Sequence, residues 1–266
     1  MNSSMNRCTF VKTSLIAASS TSLLGASVMA QSKDKTSPSS ARLDPEKLNI
    51  GIFLFPGMTM LDAYGPLQVL AVCQLFNTFT FAKSSEPLPS DANVALLPNY
   101  GFSDCPRIDV LIVPGGANPI GQIQDEQVIS FLRAAGEQAK YVTSVCTGAL
   151  ILAETGLLDG YKSTVHWAYA ESLKRYNRVN YVDQRIVKDR NRISGGGISA
   201  GLDFALTLIA EIAGDQHAMT IELLLEYDPQ PPFHSGNHNL VGDKLKQQVQ
   251  GMVHQIAKEL FLPLPV

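Results

Sequence analysis

The 266-residue sequence contains no uninterrupted apolar run of the roughly 20 residues that a membrane-spanning helix needs. It has no basic excess either: 21 Lys and Arg stand against 24 Asp and Glu, so the basic patch of a nucleic-acid surface is not expected. Cysteine is scarce, four in all, and no two are spaced Cys-x-x-Cys, which argues against a structural zinc site. The Gly-rich run Gly195-Gly196-Gly197 lacks the Gly-Lys-Ser/Thr ending of a phosphate loop and the spacing of a dinucleotide fingerprint. No internal repeat occurs. These absences leave a small-molecule role as the best fit.

What is present starts with a basic, acid-free N-terminus. Arg7 and Lys12 precede a short, mildly apolar stretch, Leu15–Leu24, and Val28-Met29-Ala30 puts small or compact residues where a signal peptidase reads. Residues 1–30 are therefore expected to be a secretory signal peptide cut after Ala30. That implies a periplasmic or secreted protein without a stable membrane anchor. Asn6-Arg7-Cys8 resembles a twin-arginine motif with Cys8 in place of the second Arg, which leaves the export route open. Residues 31–47, rich in Ser, Lys, Thr and Pro, read as a flexible linker. Residues 48–266 are long enough for one substantial core. Loss of Arg7 and Lys12 leaves 19 basic against 24 acidic residues, a net charge of −5. Cys73, Cys105 and Cys146 remain, so at least one thiol is unpaired or bonded between molecules; a Cys73–Cys105 disulfide stays open.

Leu48–Phe55 is almost continuously apolar and ends at Pro56-Gly57, the pattern of a strand buried on both faces of a parallel sheet. Leu61–Leu75 reads as a helix with Pro66 early in it, where proline is tolerated. Further strands are expected at Phe79–Ala82, Asp109–Val113, Tyr141–Val145 and Lys162–Val165. Additional strands surround a charged hairpin over 179–194. Helices are expected at Asp125–Ala139, after Cys146, and at Leu202–Ala213, Gln216–Glu226 and Leu240–Leu260. Alternation of strands and helices predicts an α/β three-layer sandwich with a mainly parallel sheet, whose site lies at the carboxyl ends of the strands. Asp62, Gly115-Gly116, Cys146 and His166 all follow expected strands, so they should share one rim.

Cys146 has the most telling context. The strand Tyr141–Val145 stops at the thiol, and Thr147-Gly148-Ala149 opens a helix at once. Strand, sharp turn and helix make a nucleophile elbow, with the amides of the next helix aimed at the sulfur and favouring thiolate. A buried structural cysteine is the competing reading. Asp62 is either a helix N-cap or a carboxyl beside the thiol, where a raised pKa would let it donate and then recover a proton. Gly116 offers an amide for an oxyanion, and His166 is a candidate neighbour of Cys146 from a shell further out. Gly195-Gly196-Gly197 reads as a pocket-wall turn with unusual backbone angles.

Phe55-Pro56-Gly57-Met58-Thr59-Met60-Leu61-Asp62-Ala63-Tyr64-Gly65-Pro66, Asp109–Gly116, Val145-Cys146-Thr147-Gly148-Ala149 and His166-Trp167 together resemble the ThiJ/PfpI superfamily, most of all its isonitrile hydratase branch. The resemblance covers about Leu48–Ser235. It implies a flavodoxin-like fold (class I glutamine amidotransferase-like), a homodimer, and no metal or organic cofactor. It also implies catalytic roles for Cys146 as nucleophile, Asp62 as its acid partner and Thr147 beside it, with an oxyanion site at the amides of Gly116 and Thr147. The activity implied is addition of water to an isonitrile to give an N-substituted formamide, a lyase reaction. Two departures narrow it: Thr147 rather than His follows the cysteine, and no His-x-Glu occurs, so a Cys-His hydrolase triad is not expected. Too little chain follows Tyr227 for the helix-turn-helix pair of related regulators to be expected. Glyoxalase-like conversion of 2-oxoaldehydes and a non-catalytic periplasmic redox-sensing or binding protein are the alternatives.

Overall fold

A computed structural model describes residues 43–262. The expected signal peptide, and the expected linker as far as residue 42, lie outside the described residues. The remainder of the linker is pinned: Leu43 packs against the core, and Asn77 Nδ2 donates to the Asp44 carbonyl at 2.8 Å.

The central sheet has six strands: β1 (Leu48–Phe53), β2 (Phe76–Phe81), β3 (Val110–Val113), β4 (Tyr141–Val145), β5 (Ile186–Asp189) and β6 (Arg192–Gly195). Their order is β2-β1-β3-β4-β6-β5, parallel throughout except for the β5–β6 hairpin at one edge. Val110–Val113 is buried at every position, as a strand covered on both faces must be. Helix α1 (Met60–Cys73) packs with α4 (Ala200–Ala213), and α5 (Asp215–Leu224) packs on that pair. Helices α2 (Glu126–Gln138) and α3 (Gly148–Thr155) pack with each other, and α6 (Asp243–Ile256) lies further along the chain. Apolar faces need covering on both sides of the sheet, so three layers form. From β1 the chain steps outward to β2, then crosses back to β3 on the other side of β1. The two loops that flank this reversal, after β1 and after β3, enclose the crevice that such sheets use for ligands.

Three expectations change. Lys162–Ser163 does not join the central sheet; it pairs in parallel with Asn180–Tyr181 in a separate two-stranded ribbon, and the place beside β4 goes to β6. The β6 run Ile193-Ser194-Gly195 is buried throughout, whereas Lys162 is exposed, so β6 is the segment suited to an interior position. Helix α1 begins at Met60, which puts Pro66 in its interior rather than near its start. Proline has no N–H to return to the Asp62 carbonyl one turn back, so the helix is weakened at the turn that carries Asp62. Among Gly195, Gly196 and Gly197 none has positive φ. A Cβ at any of the three would meet only ordinary van der Waals contact, the nearest atoms standing 3.4 Å or more away.

Candidate active site

Three loops at the carboxyl ends of neighbouring parallel strands converge on Cys146. Strand β4 delivers the cysteine, and the elbow forces it into the left-handed region at φ 57°. A residue with a Cβ pays about 1–2 kcal/mol for that conformation, so the surroundings must hold it. They do so from both sides. The Cys146 amide donates to the Gly195 carbonyl of β6 at 2.9 Å. Gly148, opening α3, lies so close to β3 that a Cβ there would stand 2.0 Å from the Val113 carbonyl oxygen.

The loop after β3 and the start of α1 bring the carboxyl. Asp62 is fully buried, and its Oδ2 accepts the Gly115 amide at 3.0 Å. Thr59 holds the N-cap position and Asp62 makes no cap hydrogen bond, which removes the capping explanation for this residue. Gly115 is small because it must be: a Cβ would stand 2.5 Å from both the amide nitrogen and Oγ1 of Thr147. The Gly115 carbonyl accepts the Thr59 amide at 2.9 Å, which ties the loop after β1 to the loop after β3.

The second carboxyl oxygen, Asp62 Oδ1, is buried with no hydrogen-bond partner. Burial pushes the Asp62 pKa up to about 7, against the opposing pull of the Gly115 amide and the Cys146 thiol. The Cys146 thiol is only 4 % exposed. Burial drives its pKa well upward, the Asp62 charge adds to that, and the Thr147 amide opposes both. The resting environment therefore does not favour thiolate, contrary to the expectation from the helix start alone. Two groups that each resist ionisation share one dry pocket. They titrate as a pair.

Thr147 is fully buried, and its hydroxyl is a clasp: it donates to the Gly116 carbonyl at 2.7 Å and accepts the Gly116 amide at 2.8 Å. The Gly116 amide is thus not a free donor in this state, which corrects its expected oxyanion role. The Thr147 amide is the backbone group that pulls the Cys146 pKa down.

His166 follows the Lys162–Ser163 strand of the separate ribbon. It lines a cleft with Trp167, Gly197 and His238, and its Nδ1 accepts the Ala168 amide at 3.3 Å. Burial and the nearby His238 lower its pKa, so it is neutral at pH 7. Tyr169, three residues further on, meets the loop after β3. Its hydroxyl donates to the Ala117 carbonyl, bracing the Gly115–Ala117 turn, and burial together with the Cys146 charge raises its pKa. Nothing in the sequence separates Tyr169 from other half-apolar core residues. Among the described residues no group of three or more His, Cys, Asp or Glu is placed to hold a metal ion. Cys73 and Cys105 are free thiols, so the pairing left open between them is not formed.

Residues 49–211 match the DJ-1/PfpI family. An isonitrile hydratase from Pseudomonas putida is 45% identical over 190 residues, covering 71% of this chain and 83% of that protein. The HTH-type transcriptional regulator GbdR from Pseudomonas aeruginosa is 29% identical over 187 residues, 68% of this chain but 51% of that protein. Among solved structures, a ThiJ/PfpI family protein from Pseudomonas syringae superposes with a TM-score of 0.76 at 34% identity, covering 88% of this chain and 98% of that one. Drosophila melanogaster DJ-1beta, at 23% identity, shares the fold with a TM-score of 0.60 over 69% of this chain and 100% of that one.

Proposed function

The chain belongs to the DJ-1/PfpI family, and from that premise we propose that it is an isonitrile hydratase-like enzyme with Cys146 as nucleophile. The observation that carries this reading is the buried pair itself: a carboxyl with its pKa near 7 and one unpartnered oxygen, facing a thiol. An isonitrile needs both partners at one atom. Its terminal carbon must gain a proton and a bond to a nucleophile, and a thiol–carboxyl pair that holds a single proton supplies both.

In the proposed cycle the Cys146 proton first passes to Asp62, which leaves the sulfur as thiolate beside a protonated carboxyl. The sulfur lone pair forms the C–S bond as the Asp62 proton passes to the same carbon, giving a thioimidate and an Asp62 carboxylate. Asp62 then takes a proton from water and relays it to the imine nitrogen as hydroxide adds to the carbon. Finally the hydroxyl proton returns to Asp62, the C=O bond forms, and the C–S bond breaks. The N-substituted formamide leaves, and thiolate and protonated carboxyl are restored. The Thr147 amide, directed at the sulfur, stabilises the charge there in the first and last steps.

The test is a screen of purified protein against isonitriles and 2-oxoaldehydes with no cofactor added. Many turnovers of an isonitrile to the formamide, abolished in Cys146→Ser, are expected. Turnover of methylglyoxal alone would point to the glyoxalase-like alternative. Consumption of a single equivalent of thiol with no turnover would point to a redox sensor.

A further inference from the structure

A cleft of about 410 Å³ is lined by chain neighbours of the residues that hold the thiol–carboxyl pair. One part of its lining is Leu61 and Gly196, the chain neighbours of Asp62 and of Gly195, whose carbonyl holds the Cys146 amide. The cleft exceeds what an isonitrile group alone would fill and falls in the range of sites that enclose a whole small molecule, roughly 300–1,000 Å³. Another part of the wall comes from beyond the family-matched residues 49–211: the loop Gly236–Asn239.

That loop is clamped in place. The His238 ring lies flat against Trp167, with centroids 5.1 Å apart and 6° between the planes. His238 Nε2 and Asn239 Nδ2 both engage Asp183 Oδ2, at 3.2 and 3.1 Å. His166 stacks on Trp167 as well, at 5.9 Å. Asp183, His238 and Asn239 are engaged with one another, and Lys246 Nζ stands 6.0 Å from the Trp167 ring centroid, so this wall is ring surface with one cation beside it. Leu61 and Ile198 add apolar surface.

Resting on the hydratase reading of the pair, we infer that this cleft is the subsite for the group carried on the isonitrile nitrogen, and that it selects a flat aryl substituent over a small alkyl one. The physical basis is the Trp167–His238 wall. Offset or edge-on ring pairs gain beyond their buried area, whereas a methyl group reaches none of these rings. The specificity then resides in Trp167, His238 and the Asn239–Asp183 anchor, on a segment separate from the elbow.

Trp167 is the only tryptophan in the sequence, so its emission reports the cleft directly. N-phenylformamide and N-methylformamide, the hydration products of the two isonitriles, serve as probes that need no turnover. Saturable change of Trp167 emission with the phenyl compound, and little with the methyl one, is expected. In His238→Ala the phenyl compound should bind about tenfold more weakly, and the ratio of kcat/KM for phenyl over methyl isonitrile should fall by about the same factor. Asn239→Ala, at an exposed position, should move both readouts in the same direction and guards against misfolding of the first variant. Absence of any emission response to N-phenylformamide, or an unchanged selectivity ratio in both variants, would overturn the inference. If neither isonitrile turns over, the reaction is wrong, yet the emission titration still decides whether the cleft prefers aryl groups.

Discussion

At Asp62, burial and charge oppose one another. A fully buried carboxyl with one unpartnered oxygen costs stability whenever it ionises, and its pKa of about 7 in the fold against 3.8 ordinarily sets the pH window. The folded pKa is raised, so the stability contribution is complete below about pH 4 and is lost as pH rises through 7. Asp62→Asn keeps the shape and can still accept the Gly115 amide, but it carries no charge. It should therefore raise the unfolding free energy at pH 8 by on the order of a few kcal/mol, seen as a higher melting temperature, and change it little at pH 4. Thermal melts at the two pH values check the difference; equal effects at both would remove the buried-charge account. The same variant should lose about 10²–10⁴ in turnover, because an amide cannot donate and recover a proton. The wild-type pH profile follows from the pair. Below pH 7 it holds two protons, and the productive form holds one, so kcat/KM should rise with pH through about 7. In Asp62→Asn the limb near pH 7 should be gone and residual activity should rise only at the higher pH where the buried thiol ionises, which stopped assays across pH would show.

The elements hold this pair by close approach at glycine. Helix α3 can begin immediately after Cys146 only because Gly148 lets its first turn press against β3, and Gly115 likewise admits Thr147. Gly148→Ala would place a methyl group 2.0 Å from the Val113 carbonyl oxygen, within the backbone rather than beside a flexible side chain. It should destabilise the fold by about 3 kcal/mol or more and displace the elbow, with activity lost in parallel. Gly121→Ala is the matched comparison, since nothing lies within 4 Å of a Cβ there. Denaturant melts of the two variants should separate them widely; similar midpoints would mean that α3 has more room than its packing indicates. The site is thus a property of the contact between α3 and β3 as much as of any side chain.

At the scale of the whole molecule, two segments extend beyond the family-matched core. The C-terminal one closes back on the fold: the Leu260 carbonyl accepts Ser172 Oγ at 2.9 Å and Arg175 Nη1 at 2.6 Å, and Phe261 packs against Tyr169. The N-terminal one carries the export proposal. Cleavage after Ala30 and delivery to the periplasm are expected from the basic, acid-free start and Val28-Met29-Ala30. Fractionation with N-terminal sequencing checks this, and an intact Met1 in the cytoplasm would refute it. Arg7→Lys should block export if Arg7 acts as part of a twin-arginine signal, and should be tolerated by the general secretory route, which needs only positive charge.

Periodicity and punctuation in the sequence were enough to determine the α/β class, the segments that become β1 to β4 and the elbow at Cys146. Each of these depends on local pattern: apolar runs, the Pro-Gly and Gly-Gly stops, and a helix beginning at once after a strand. What pattern could not determine was which distant segments meet. The β6 strand and Lys162–Ser163 are both short and β-prone, and only the competition for a buried place beside β4 decided between them. The segment that follows Lys162–Ser163 brings Tyr169 to the turn after β3. The protonation of the site is tertiary for the same reason. A helix start favours thiolate, but burial beside Asp62 outweighs it, because desolvation depends on everything packed around the sulfur and not on its neighbours in the chain.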